Sequence, residues 1–534
     1  MTKNFGIIVS YPPEVLYGSH GIPHLIMNII KGARNNGYFI TIVAPEWSRK
    51  ELETLLKENI DENYDNIRVI TTERIPPILQ VRQNLLRLLK SVKKGSFLSL
   101  IFQDLQNKIE KALVRSYGSH KWTHFLFAGV FTLIYSPFLG IYLVERYSKK
   151  KQERDKGSFK LELSDIYERL TDPKELSKLF YLNQRIFWEL LDQENQKIVE
   201  ITKTQSKIIS NWLITTPFSP ELVKNIRNST VICPDVIIRD FAVGFERDDF
   251  GEMILARKDQ IRNSLHYADK IICFSNYVKD DQIFASFGKF YEKISVISHG
   301  HINLSEELNI IKPFQSMNKI EKFDLTTQII NTYTRKKVAD EYVANFHFSG
   351  TRFLFYSSQI RPSKNIPALI KALHQLLHHK YEPVKLVLTG NPNIKSISEL
   401  VSDLGLQRDI IFLPDIPTKV MAALYHQAVL AVNPTLFEGG FPFTFSEAYS
   451  VGTPSVMSCI PVVEEYIPYP DLKKVMLFDP HNIDEMVERI YWGMHHRNEL
   501  LDLQKPLYEK LKKRSLNQMA QDYVDTVNRT EKSC

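Results

Sequence analysis

The sequence of 534 residues has little cysteine, and its cysteines are not arranged to build a disulfide or metal framework. They are isolated, with no C-x-x-C pair and no histidine-rich cluster beside them: Cys233, Cys273, Cys459 and Cys534. This spacing argues for a reducing compartment and against a structural zinc. A D-x-D motif is also missing, so the sequence predicts no metal and no other cofactor.

A strong excess of one charge is lacking as well. The chain has 68 Lys and Arg residues against 61 Asp and Glu residues, which gives a net charge of +7. This mild excess suits an anionic substrate or a lipid surface, but without a basic motif it does not predict nucleic-acid binding. The first apolar run, residues 5–9, has only the length of a strand, so we expect no N-terminal signal peptide and a cytoplasmic location.

What is present is an ordinary globular composition, with 43% hydrophobic and 24% charged residues, and a length that predicts roughly two to four domains. The N-terminal pattern predicts a strand over 5–10, a helix over 22–36 and a strand over 39–43, joined through Gly18 and Gly21. This is a β-loop-α-β unit with a right-handed crossover. The glycine pair fits a ligand loop or a tight turn equally well, and the missing third glycine argues against a dinucleotide site.

The C-terminal half alternates regularly between strand and helix patterns. The predicted strands are 353–357, 385–389, 410–413, 429–432, 455–457 and 475–478, and the predicted helices are 366–379, 397–404, 418–426, 445–451 and 483–494. Repeated βα units predict a parallel, doubly wound sheet, and therefore an α/β fold.

One stretch of this half, residues 437–448, has the features of an anion or sugar site. An apolar strand leads through Gly439 and Gly440 into a helix, which places unpaired N–H groups and the positive end of the helix dipole beside a ligand. The glycines permit positive φ and a close approach of the ligand. Glu438 and Glu447 supply two carboxylates for hydroxyl groups. The alternative is a structural capping box, with Thr444 as the N-cap and Glu447 three residues later.

Two further strand ends carry candidate groups. The loop 358–365 holds Arg361 and Lys364 between a strand and a helix, where two cations suit an anionic ligand; a solvated loop is the alternative. Asp235 falls within the strand-like run 230–238, near a strand end where a parallel sheet displays its functional groups, and is therefore a catalytic candidate.

These motifs resemble the retaining, family-4-like glycosyltransferases (glycosyl transferases group 1) of the GT-B fold. The family has an E-x7-E pair followed by E-A and G-x-P, whereas eight residues separate Glu438 from Glu447 here. The family's G-R-x4-K clamp is similar to the loop at Arg361 and Lys364, with Gln359 in place of arginine, and Thr389-Gly390 follows in the family's order. The resemblance implies two Rossmann-like domains facing across a cleft.

The resemblance also implies roles. Lys364 and Arg361 would bind the diphosphate of a UDP- or GDP-sugar, with Gly390 and the backbone N–H groups of Gly440, Phe443 and Thr444 at the donor. Glu447 would accept from the ribose hydroxyls and Glu438 from the sugar. Transfer would retain the anomeric configuration, by a front-face reaction without a metal. Gly18 and Gly21 resemble the family's acceptor loop. His299 and His301 lie where the family has a P-N-G turn, and the catalytic histidine of the family's first domain has no match.

The expected domains are residues 1–312 for the acceptor side, with an insertion at 93–205, a linker at 313–350, a donor domain at 351–500 and a helical tail at 501–534. In the insertion, residues 122–144 contain no Asp, Glu, Lys or Arg. One bilayer crossing would separate strands of a single sheet, so Pro137 favours a hairpin that attaches to the inner membrane face and returns. A buried core hairpin is the alternative.

The sequence therefore predicts a glycosyltransferase that acts on a glycan or lipid-linked acceptor in cell-surface polysaccharide or glycolipid assembly. The alternatives are an inactive GT-B scaffold at the membrane, a nucleotide-sugar epimerase and a phosphorylase.

Overall fold

The structure is a computed structural model, and it describes residues 3–13, 21–60, 65–77, 79–80, 173–240, 251–338, 340–390 and 394–529. Gly18 and most of the predicted insertion, including residues 122–144, lie outside the described residues. The expectations for these two segments therefore stay predictions.

Within the residues that the structure describes, the first sheet has seven strands in the order β3-β2-β1-β4-β5-β6-β7. They are β1 (Lys3–Ile8), β2 (Tyr38–Ala44), β3 (Ile67–Thr71), β4 (Trp212–Ile214), β5 (Ser229–Ile232), β6 (Lys270–Cys273) and β7 (Ile294–Val296). The pairs β2–β3, β1–β4, β4–β5 and β6–β7 are parallel. The order reverses between β1 and β4, as in a doubly wound fold.

Helices alternate with these strands and precede the second sheet. They are α1 (Gly21–Asn35), α2 (Arg49–Asn59), α3 (Pro173–Thr204), α4 (Pro220–Asn225), α5 (Ile237–Asp240), α6 (Gly251–Tyr267), α7 (Ala285–Phe287), α8 (Lys319–Lys337) and α9 (Glu341–Ala344). A π-helical segment, Val278–Phe284, leads into α7.

In the described part of the C-terminal half, the second sheet has six parallel strands in the order β10-β9-β8-β11-β12-β13. They are β8 (Phe353–Tyr356), β9 (Lys385–Leu388), β10 (Ile410–Phe412), β11 (Leu430–Asn433), β12 (Ser455–Ser458) and β13 (Leu477–Phe478). The strand order reverses between β8 and β11, so the loops after these two strands flank a topological switch point.

The helices of this half follow the predicted alternation. They are α10 (Ile366–His378), α11 (Lys395–Asp403), α12 (Thr418–Gln427), α13 (Phe443–Ser450), α14 (Pro461–Tyr466), α15 (Pro470–Met476), α16 (Ile483–His495), α17 (Arg497–Lys512) and α18 (Leu516–Asn528). The prediction of a strand from residue 475 is wrong at its start, because α15 continues to Met476 before the short strand β13.

Alternation along the strands of the second sheet divides its core into two layers. One face contributes Leu354, Tyr356, Leu386 and Leu388 to a cluster that α10 covers, and the other contributes Phe353, Phe355 and Val387 to a cluster that α12 covers. Successive strand residues point to opposite faces, so a strand buried on both faces reads as a continuous apolar run. This explains why the sequence predicts these strands well.

Residues 313–350, predicted to be a linker, contain a packed helix. Asn318 caps α8 in a capping box with Glu321, and Ile330 is fully buried. The side-chain amide of Gln427 on α12 donates to the Thr326 hydroxyl at 2.8 Å. The helix α8 was not predicted from the sequence, because few of its residues are buried and its apolar pattern is therefore weak. The predicted domain limits stay a prediction.

The chain divides into two compact units. The first contains Met1–Pro23, Phe39–Val231 and Arg247–Ala268, and the second contains His24–Tyr38, Ile232–Glu246 and Asp269–Cys534. The candidate site described below lies within the second unit. Within the described ranges, no helix is both long enough and apolar enough to span a membrane.

Candidate active site

Three loops meet at the carboxyl edge of the second sheet, after β9, β8 and β11. The backbone N–H of Ser358 donates to the Thr389 hydroxyl at 2.9 Å, and that of Leu436 donates to the Ser363 carbonyl at 2.8 Å. Gly390 lies against Ile360, since a Cβ at residue 390 would be 2.3 Å from Ile360 Cγ1 and 2.9 Å from its backbone nitrogen. Gly390 therefore shapes the loop that carries Arg361, and its small size is what this packing requires.

Lys364 and Glu438 form an ion pair across the switch point. Lys364 ends the short 3-10 turn Pro362–Lys364 after β8, and Glu438 lies in the loop after β11. Lys364 Nζ contacts Glu438 Oε1, and both side chains are about one-fifth exposed. Arg361 is solvent exposed, and the carboxylates of Glu438 and Asp235 attract its guanidinium group. The structure thus brings four predicted site residues together.

Asp235 joins this cluster from the end of β5. Its Oδ1 accepts a hydrogen bond from the Ile237 backbone N–H at 3.1 Å. Burial, aided by the nearby Glu438 carboxylate, raises the pKa of Asp235 to about 6, although the hydrogen bond from Ile237 and the charges of Lys364 and Arg361 act in the opposite direction. A carboxyl group with this pKa can exchange a proton near neutral pH, which suits a group that contacts a reacting hydroxyl.

The glycine pair after Glu438 is explained by close packing. A Cβ on Gly439 would lie 2.1 Å from the Pro234 carbonyl oxygen, and a Cβ on Gly440 would lie 2.6 Å from His299 Nε2. The Ser275 hydroxyl also donates to the Gly439 carbonyl at 2.8 Å. Neither glycine has a positive φ, so the sequence-based explanation through φ is wrong. The glycines let the loop after β11 approach the ends of β5 and β6.

Helix α13 begins without the predicted capping box. Its N-cap is Pro442, its first residue is Phe443, and no side chain caps it. Thr444 instead accepts a hydrogen bond from the Asn433 side-chain amide at 2.9 Å, and Glu447 Oε2 accepts one from the Tyr425 hydroxyl at 3.1 Å. Thr444 and Glu447 are both helical residues, and neither side chain caps the helix. The capping-box alternative is therefore wrong.

Burial gives Glu447 unusual electrostatics. It raises the pKa of Glu447 to about 7, although the hydrogen bond from Tyr425 works in the opposite direction. The side chain is partly buried between α12 and α13. A carboxylate with few compensating donors has unused acceptor capacity, which a ligand hydroxyl would fill.

His299 is a site residue to which sequence reasoning assigned no role. Its ring lies between the rings of Phe274 and Phe443, with centroid distances of 4.5 Å to each. Burial, together with the charge of Arg514, lowers the pKa of His299 to about 4, so the ring is neutral at pH 7. Its only sequence signal is the resemblance that places residues 298–301 at the family's P-N-G turn. Its neighbours come from distant segments, so no local pattern identifies it.

The remaining predicted residues are less informative. Gly21 is the first residue of α1, and Gly18 lies outside the described residues. Among the residues that the structure describes, no group of three or more His, Cys, Asp or Glu side chains is arranged to hold a metal ion.

Residues 340–515 match the family model described as "Glycosyl transferases group 1". This range includes β8 to β13 and the residues Arg361, Lys364, Glu438 and Glu447. This part of the chain therefore matches a glycosyltransferase domain, and the fold is of the GT-B class.

Individual relatives agree with this class. The chain is 24% identical over 163 residues to an uncharacterized glycosyltransferase of Methanocaldococcus jannaschii; the match covers 30% of this chain and 41% of that protein, less than half its length. A crystal structure of Anabaena HepE in complex with UDP is similar in fold, with a TM-score of 0.55, 12% identity and 98% and 99% of the two chains covered.

Sucrose-phosphate synthase from Thermosynechococcus elongatus gives a TM-score of 0.54 at 12% identity, with 98% of this chain and 97% of that chain covered. A glycosyltransferase from Rickettsia africae gives a TM-score of 0.53 at 13% identity, with 99% and 100% covered. At these identities the similarity shows the fold: two Rossmann-like domains with parallel sheets.

Proposed function

We propose that the protein transfers a sugar from a nucleotide-sugar donor to a hydroxyl group of an acceptor. The observation that carries the proposal is the cluster of Arg361, Lys364, Glu438 and Asp235 at the switch point of a glycosyltransferase domain. Ligands of doubly wound sheets bind at the carboxyl ends of the strands at such a point. Two cations there match a diphosphate, and two carboxylates match sugar hydroxyl groups.

The donor is a UDP- or GDP-sugar in this proposal. The structures of similar fold include Anabaena HepE in complex with UDP and with UDP-glucose. Lys364 and Arg361 would contact the diphosphate, with the N–H groups of Phe443 and Thr444 at the start of α13. The unused acceptor capacity of Glu447 would receive the ribose hydroxyl groups.

The reaction breaks the bond between the anomeric carbon and the diphosphate oxygen and forms a bond to the acceptor oxygen. Negative charge develops on the leaving diphosphate, and Lys364 and Arg361 stabilise it there. The acceptor proton passes to the leaving phosphate in a front-face reaction that retains the anomeric configuration. Asp235 orients the acceptor hydroxyl, because its raised pKa lets it accept or donate a hydrogen bond near neutral pH. Glu438 holds the sugar once Lys364 turns to the phosphate.

The acceptor is a glycan or a lipid-linked glycan in this proposal, in cell-surface polysaccharide or glycolipid assembly on the cytoplasmic side of the membrane. The support is the charge-free segment 122–144, which lies outside the described residues. Flotation of the protein with liposomes tests this membrane contact.

The donor proposal is tested by binding and turnover. Isothermal titration with UDP, GDP and ADP identifies the base, and nucleotide release from the matching sugars, with and without candidate acceptors, measures transfer. Lys364→Ala should weaken diphosphate binding about 10- to 150-fold, the equivalent of about 1.5–3 kcal/mol for a charged hydrogen bond. Lys371→Ala, at an exposed position on α10, is the matched control and should change nothing.

Two results would contradict the proposal. Unchanged nucleotide affinity in a folded Lys364→Ala variant would remove the diphosphate clamp. Nucleotide binding without release from any sugar donor, across an acceptor panel, would favour the inactive scaffold.

A further inference from the structure

The hydroxyl group of Tyr425 lies between helix α13 and the loop after β8, both of which the proposed donor site uses. Tyr425 is in α12 and is fully buried, with its ring packed edge-on against Phe355 at a centroid distance of 4.6 Å. Its hydroxyl donates to Glu447 Oε2 at 3.1 Å and also interacts with the Ser357 hydroxyl. Ser357 is the first residue after β8, on the loop that continues to Arg361 and Lys364.

Among the residues that the structure describes, the other carboxylate oxygen of Glu447, Oε1, has no hydrogen-bond partner. A carboxylate has two oxygen atoms and about four acceptor positions. Tyr425 occupies one position on Oε2 and thereby limits rotation of the carboxylate. Because the tyrosine ring is held by core packing, the direction of the hydrogen bond is fixed before any ligand arrives.

We propose that Tyr425 is a positioning residue that fixes the Glu447 carboxylate for the ribose hydroxyl groups of the donor, and that the pair distinguishes ribose from 2′-deoxyribose. This inference rests on the proposed function of the same site. A site that hydrogen-bonds a hydroxyl group rejects the analogue that lacks it, because a buried acceptor is then left unpaired. A carboxylate that is free to rotate discriminates less.

The inference predicts a change in selectivity as well as in affinity. The wild-type protein should bind UDP about tenfold or more tightly than 2′-deoxy-UDP, the effect of one hydrogen bond to a charged group. Tyr425→Phe should reduce the ratio of UDP affinity to 2′-deoxy-UDP affinity at least threefold, mainly by weakening the binding of UDP. General loosening of the structure would weaken both nucleotides equally and leave the ratio unchanged. If GDP is the nucleotide that binds, GDP and 2′-deoxy-GDP replace this pair.

The pH dependence gives a second readout. UDP affinity should rise with pH as Glu447 ionises, and the midpoint of this rise should move upward in Tyr425→Phe, because the hydrogen bond from Tyr425 favours the ionised carboxylate. In Glu447→Gln the rise attributable to this residue should be absent.

A double-mutant cycle separates the inference from the proposed function on which it rests. Glu447→Gln alone tests the ribose contact: if it changes neither UDP affinity nor the ratio, the proposed role of Glu447 fails. If Glu447→Gln lowers the ratio and a folded Tyr425→Phe does not, the ribose contact stands and the positioning role is wrong. The double variant should be no worse than Glu447→Gln, since Tyr425 acts through Glu447.

Folding is checked by thermal unfolding of the full chain. Tyr425→Phe keeps the ring and its packing and removes one oxygen atom, so the fold should survive. If it does not, Ser357→Ala removes the other partner of the same hydroxyl at a partly exposed position. Ser357→Ala should then lower the UDP to 2′-deoxy-UDP ratio, and an unchanged ratio would overturn the inference.

Discussion

Gly439→Ala should disrupt the candidate site more than any neighbouring glycine-to-alanine change of equal size. The added Cβ would lie 2.1 Å from the Pro234 carbonyl oxygen, 3.0 Å from its carbonyl carbon and 3.2 Å from Asp235 Cβ. The first two atoms are backbone, so no rotamer change can relieve the overlap. Either the loop after β11 or the end of β5 must move by about 1 Å to reach an ordinary contact distance.

The expected cost follows from this geometry. Overpacking a close contact costs about 1–3 kcal/mol, and moving the loop also weakens the 2.8 Å hydrogen bond from Ser275 to the Gly439 carbonyl, worth about 1 kcal/mol. The free energy of unfolding should therefore fall by about 2–4 kcal/mol in urea denaturation. The same movement shifts Glu438 relative to Asp235, so sugar transfer should fall at least tenfold.

Gly350→Ala is the matched control. An added Cβ there meets no atom within 4 Å, so the change should be neutral, or stabilising by up to about 1 kcal/mol through the unfolded chain. The reasoning would be refuted if Gly439→Ala matched Gly350→Ala in both unfolding free energy and nucleotide release.

Three further outcomes are expected. Burial raises the pKa of Glu447 from 4.5 to about 7, so between these values the folded protein retains a proton that the unfolded chain releases. The free energy of unfolding should therefore fall as the pH rises through this range. In urea titrations, Glu447→Gln should gain up to about 3 kcal/mol of stability relative to wild type between pH 4 and pH 8. Arg497 donates to three backbone carbonyls at 2.6–3.0 Å, and burial lowers its pKa to about 10. Arg497→Met should therefore lower the free energy of unfolding by about 2–5 kcal/mol. Lys395→Ala, which removes an exposed ion pair, should change it by no more than about 0.5 kcal/mol. Deletion of residues 122–144 should release the protein from liposomes in flotation assays, whereas high salt should not, since apolar burial is not screened; a full-length protein that never floats would contradict the membrane contact.

The fold was largely predictable because its signals are local. The strands of a parallel sheet are buried on both faces, so segments such as 353–357 and 429–432 appear as short apolar runs, and the intervening helices appear as amphipathic periods. The observed strands β8 and β11 agree with these two predictions to within one residue. The helix at Lys319–Lys337 was not predictable in this way, because a helix with few buried positions has a weak apolar period.

The candidate site was predictable only in part. Chemistry and order along the chain marked Arg361, Lys364, Glu438 and Glu447, since a glycine loop before a helix and a basic loop after a strand are sequence features. The ion pair between Lys364 and Glu438 was not predictable, because its members are 74 positions apart in the chain. A sequence contains no distances, and two residues so far apart become neighbours only through the strand order of the sheet.

The sequence by itself determined the alternation of strands and helices, the parallel sheets, and the residue types available for a diphosphate and for sugar hydroxyl groups. Only the tertiary structure showed that Gly439 packs too closely against Pro234 to carry a side chain. Only the tertiary structure showed that Glu447 accepts a hydrogen bond from Tyr425 instead of capping its helix. It also decided that Asp235 lies within the electrostatic reach of Glu438. These three outcomes depend on which strand ends are neighbours, and burial at those contacts sets the pKa values, because the field at a buried carboxyl group comes from segments distant in the chain.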